Sequence, residues 1–178
     1  MSDFYGKVTS ESDAISKIVG KIPGFSGYVE RENRRAADKP LREHLAAQFD
    51  QVWTHVTNIQ KDISSTGEME HLDALENAAT KIRTFIDKVT TATYGYAGFF
   101  DAVKVNKEEL LRLYEFDLTL LGKADELSRA VDNVEASKGT DGMPAAVSNV
   151  VTLSRELVAT FEKRGEVLME LDQAAPAA

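Results

Sequence analysis

Glu68-Met69-Glu70-His71 is the only Glu-x-x-His in the chain. On a helix this spacing puts a carboxylate and an imidazole on one face, and it forms half of the carboxylate-bridged site of ferritin-like bundles. The other half would need a second Glu-x-x-His with inward glutamates. The remaining histidines, His44 and His55, are eleven residues apart, roughly 16 Å by helical rise, so they cannot share an ion. His71 belongs to the first turn of a helix, where acidic neighbours complement the dipole. A solvated helix start accounts for it. No metal and no other cofactor is expected, and a ferritin-like metalloprotein stands as an alternative reading.

Other catalytic patterns fail on individual residues. Gly24-Phe25-Ser26-Gly27-Tyr28 has Tyr28 where a nucleophile elbow needs glycine, and no strand precedes it. Gly20-Lys21 and Gly122-Lys123 lack the upstream glycine and the following Ser or Thr of a phosphate loop. The chain contains no cysteine, which removes thiolate ligands, thiol nucleophiles and disulfides together. A non-enzymatic role is the expectation.

Two further groups could bind rather than react. Arg31, Arg34, Arg35, Lys39 and Arg42 recur at helical spacing and could grip phosphate, a lipid headgroup or an acidic partner, arginine being suited to bidentate contacts. Glu30, Glu32, Asp38 and Glu43 interleave with them, leaving a net charge of +1 over this stretch; ion pairing on a solvated face is the plainer reading. The aromatics Tyr94, Tyr96, Phe99, Phe100, Tyr114 and Phe116 have helical spacing, which favours core, with a pocket or partner groove as the functional alternative. Aromatic rings beside arginines are the composition of binding hot spots. The candidate partner-binding set is therefore Phe25, Tyr28, Arg31, Arg34, Arg35, Tyr94, Tyr96, Phe99, Asp101 and Lys104.

Those residues must be positioned by helices. The 178 residues suffice for one domain with a real core, and 43% hydrophobic with 28% charged residues is ordinary for a soluble chain. Only four prolines and eleven glycines interrupt it, and strand-like alternation is absent. The formal net charge of −8 argues against a nucleic-acid binder, whose affinity comes from neutralising phosphates. No apolar run approaches the roughly 20 residues of a membrane helix. Met1 to Lys7 has no apolar signal core, so a cytoplasmic location is expected.

Leu41, Leu45, Phe49, Val52, Val56, Ile59 and Ile63 follow spacings of fours and threes and predict a helix over 41–64. Pro40 either opens it or kinks a longer helix from near Glu30. Ser65 with Glu68 matches a capping box for the next helix. Leu72, Leu75, Ala79, Ile82, Ile86, Val89, Thr93, Tyr96, Phe100 and Val103 predict that helix over 68–104, roughly 55 Å long. Leu111, Tyr114, Leu118, Leu121, Ala124, Leu127, Val131 and Val134 mark a helix over 107–136, its register slipping near Gly122. Ala146, Val150, Leu153, Leu157, Phe161, Leu168 and Leu171 mark another over 143–172, with Pro144 near its start. A short helix before Pro23 has the face Ile15, Ile18, Val19 and Ile22.

Short turns make consecutive long helices antiparallel neighbours. The predicted fold is all-α: an antiparallel up-down-up-down four-helix bundle over 40–173, with an N-terminal arm and short helix over 1–39 and a disordered tail over 174–178. Function is expected in a non-enzymatic interaction or scaffold protein that binds a protein partner or self-assembles. Peripheral membrane attachment through residues 15–22 and the arginines is the further alternative.

Overall fold

The computed structural model describes residues 16–22, 34–66, 69–91 and 107–173. Among these the helices are α1 (residues 16–21), α2 (Arg34–Thr66), α3 (Leu72–Thr91), α4 (Lys107–Ala136) and α5 (Met143–Gln173), with a 3-10 turn at Met69–His71 leading into α3. The chain is a helical bundle.

The apolar stripe of α2 explains why this is so. Leu41, Leu45, Phe49, Val52, Val56, Ile59 and Ile63 are all buried, so one continuous side of the helix is removed from water. On α3 the stripe is wider than the spacing implies, because Ala78 and Phe85 join Leu75, Ala79, Ile82, Ile86 and Val89 in the core while Leu72 is half-buried. Phe85 is the central ring. It meets Phe49 of α2 at a centroid distance of 4.5 Å and Phe161 of α5 at 5.4 Å, both edge-on, the arrangement the ring quadrupoles favour.

Several local expectations are corrected. Of the two readings left open for Pro40, the longer helix holds: α2 is helical from Arg34 and carries Pro40 inside it. Without an N–H, Pro40 leaves the helical hydrogen bond to the Ala36 carbonyl unmade. Ser65 does not open the next helix: its hydroxyl donates to the Asp62 carbonyl at 2.7 Å, inside the last turn of α2. Ile18 of α1 and Ile22 just after it are buried but Val19 is 45% exposed, turned about 100° round the helix from Ile18. The stretch 92–104, expected to continue α3, lies outside the described residues.

The turn between α4 and α5 shows its chemistry. Gly139 has φ 72°, a left-handed conformation in which a side chain would be strained. Thr140 then donates its hydroxyl to the Ser137 carbonyl at 2.8 Å and accepts from the Gly142 amide at 3.3 Å. Local side-chain bonds of this kind hold a short loop without tertiary support.

Contacts between named residues give the directions. Phe49 meets Phe85 and Arg42 reaches Val89, so α2 and α3 are antiparallel. Lys123 pairs with Glu156 and Asp117 with Arg164, so α4 and α5 are antiparallel too. Between the hairpins the directions agree. His55 contacts Glu135 while Asp62 contacts Lys138, so α2 and α4 run parallel. Going round the bundle the order is α2, α3, α5, α4, with α3 and α4 on the diagonal.

This differs from a ring in which every neighbour is antiparallel. The reason is connection length: a turn of a few residues binds only the two helices it joins, whereas fifteen residues separate Thr91 from Lys107. Such a segment reaches roughly 50 Å when extended. A bundle diagonal is only about 14 Å at the usual interaxial spacing.

Candidate functional site

The N-terminus of α2, the C-terminus of α3, the N-terminus of α4 and the C-terminus of α5 all lie at one end of the bundle, by the directions above. A layer of buried polar side chains sits just inside it. Arg42, Asp117 and Arg164 lie eight, ten and nine residues from the described ends of α2, α4 and α5, about 12 to 15 Å in by helical rise.

Arg164 is the largest fully buried side chain of this layer, at 1% exposure, and Asp117 is at 0%. The Arg164 Nε donates to Asp117 Oδ1 at 2.8 Å. A charge-assisted bond between two desolvated groups is directional, and each partner offsets the cost of burying the other. It fixes α4 against α5 at one register. Tyr114, also buried, lies one turn before Asp117 on the same face of α4.

Arg42 is 8% exposed and its Nη1 donates to the Val89 carbonyl at 3.3 Å. The last carbonyls of a helix lack intrahelical donors, so an arginine there completes the end of α3 and complements its dipole. Arg42 was among the cations considered as an anion-gripping surface; the fold instead turns it inward. Lys39 makes an exposed pair with Glu43 at 3.6 Å, as interleaved charges at helical spacing suggest.

Of the partner-binding residues read from the sequence, Arg34 and Arg35 form the first described turn of α2. Phe25, Tyr28, Arg31, Tyr94, Tyr96, Phe99, Asp101 and Lys104 lie outside the described residues. Asp117 holds Arg164.

The sequence carried a signal for Asp117 and Arg164 that periodicity alone passes over. Asp117 stands three residues after Tyr114 and four before Leu121, and Arg164 three after Phe161. Each is a charge placed in an apolar register, and a charge there is buried only if another element supplies its counterion.

The outer surface is tied by ion pairs. Lys21 pairs with Asp125 at 2.8 Å, Lys88 with Glu162 at 2.6 Å and Lys138 with Asp62 at 3.0 Å. The hydrogen bond to Asp62 raises the pKa of Lys138 above its ordinary value; burial works against it, and the charges of Asp62 and Glu135 add to the rise. Arg83 lies 5.5 Å from the Trp53 ring and also contacts Asp50 and Asp87.

His71, from the Glu-x-x-His, lies in the 3-10 turn and is half-buried. Among the described residues no group of three or more His, Asp and Glu side chains is placed to hold a metal ion. No described helix is long and apolar enough to cross a membrane. The chain matches no family model, no curated protein and no solved structure.

Proposed function

We propose that this protein is a non-enzymatic interaction module of the cytoplasm, a rigid helical bundle that presents one end to a protein partner or to a second copy of itself. The observation that carries this reading is the convergence of helix ends. Segment 23–33 joins the bundle at the start of α2, and segment 92–106 leaves α3 and re-enters at α4. The proposed interface joins Arg34 and Arg35, in the first described turn of α2, with Phe25, Tyr28, Arg31, Tyr94, Tyr96, Phe99, Asp101 and Lys104 of the two connecting segments. Beneath that end the Arg164–Asp117 pair and the Arg42–Val89 bond clamp the four helices. A rigid base lowers the ordering cost of binding, and aromatic rings with arginines supply the affinity.

The test is charge reversal at Arg34 and Arg35, followed by chemical crosslinking in native extract and sedimentation of the purified protein. The expected result is loss of the partner or of self-association with the melting temperature unchanged. If the variant instead loses stability while its associations persist, the arginines only clamp the fold and this end is not the interface.

A further inference from the structure

Ile18 and Ile22 stand four residues apart and are buried, at 0% and 2% exposure, so they seat the α1 segment in the core cluster of the bundle. Beside them Lys21 reaches Asp125 of α4 at 2.8 Å. Asp125 is eighteen residues past Lys107, about 27 Å from the described start of α4 by helical rise. It also lines a groove between α2 and α4 that has the buried Val52 and Ala124 among its walls. α1 is thus tied down at the rim of that groove.

As a helix α1 is weak. Its six described residues fall short of the roughly 12–15 at which an isolated helix becomes even marginally stable. Gly20 weakens it further, because a glycine loses the most backbone freedom on becoming helical. A Cβ at Gly20 would meet nothing within 4 Å and its φ is ordinary, so neither close approach nor backbone geometry calls for glycine there. The Lys21 and Asp125 side chains are 45% and 50% exposed, and an exposed ion pair contributes little. Nor does the chain hold α1 close, since eleven residues separate Ile22 from Arg34. Burial of two isoleucines is therefore set against the backbone entropy of the whole segment, and the two effects are comparable in size.

We infer that α1 is a latch that lifts from the bundle as a unit while α2 to α5 stay folded. Opening exposes the apolar surface beneath Ile18 and Ile22 at the rim of the α2–α4 groove, and salt favours it by screening the Lys21–Asp125 pair. The latch is independent of the interaction end proposed above.

Native-state hydrogen exchange of the full chain tests it, read by NMR at urea concentrations below the unfolding transition. The Ile22 amide donates to the Ile18 carbonyl at 2.9 Å and reports the latch, while the amides of Phe85 and Leu127, inside α3 and α4, report the bundle. Ile22 is expected to be protected, but about a hundredfold less than Phe85 and Leu127, and to be unmoved by urea, because a local opening uncovers little surface. Gly20→Ala is expected to raise its protection about fivefold, and Lys21→Met to lower it about twofold. The double variant Ile18→Ser/Ile22→Ser unseats α1 and is expected to lower the urea midpoint of the bundle by no more than the opening free energy measured at Ile22 accounts for. An unprotected Ile22 means that no latched state exists, and an Ile22 that follows Phe85 and Leu127 through the urea series means that α1 opens only with the whole fold; either overturns the inference. So does a Gly20→Ala or Lys21→Met variant that leaves Ile22 unchanged, and so does a double variant that loses more stability than this or fails to fold.

Discussion

Arg164 Nε lies 2.8 Å from Asp117 Oδ1, joining two residues forty-seven positions apart whose side chains are 2% and 0% exposed. Removing one partner strands a buried charge, so Asp117→Asn and Arg164→Met are each expected to lower stability by about 3–5 kcal/mol in urea unfolding. The double variant Asp117→Leu/Arg164→Met removes both charges and is expected to recover most of that loss. Additive losses in the double variant would show that the two side chains act separately.

Lys138 gives a stability that depends on alkaline pH. Its folded pKa is raised above 10.5, first by the hydrogen bond to Asp62. A raised lysine pKa means the folded state holds the proton more tightly. The stabilisation is therefore complete below the unfolded value and is lost as pH rises through the folded one. The difference in melting temperature between the native protein and Lys138→Met is expected to be constant at neutral pH and to shrink once the pH passes 10.5. A difference that stays flat across that range would remove the Asp62 bond from the account.

Gly122 sits on the exposed side of α4, where a Cβ would meet nothing within 4 Å and φ is ordinary. A helical glycine costs about 1 kcal/mol relative to alanine, through backbone entropy. Gly122→Ala is expected to stabilise the protein by about that amount in thermal or urea unfolding. Destabilisation would mean that the α4 backbone at Gly122 does not hold its helical geometry in solution.

The register slip expected at Gly122 is not a break. α4 continues through it, burying Leu113, Tyr114, Asp117, Leu120, Leu121 and Ala124 in succession. Two adjoining stripes, 113-117-120-124 and 114-121, together form a face wide enough to meet both α2 and α5. A single-stripe reading fails where a helix packs against two neighbours, because each neighbour needs its own row of side chains. The candidate interface rests on composition, rings and arginines near two joints, and of its residues Arg34 and Arg35 lie in the first described turn of α2. Arg42 was misread because the carbonyl that draws it inward, that of Val89, is forty-seven residues away.

By itself the sequence determined that the chain is helical and which side of each helix faces inward. Spacings of three and four are local information, and Leu41 to Ile63 express it without help from any other segment. Only the tertiary structure decided that α2 lies parallel to α4, that α3 and α4 are diagonal, and that Asp117 meets Arg164. One stripe of leucine, isoleucine and valine packs about as well on another, so hydrophobic burial is non-directional and does not choose partners. The choice falls to shape, to the length of the connection between Thr91 and Lys107, and to the few polar pairs that tolerate a single register.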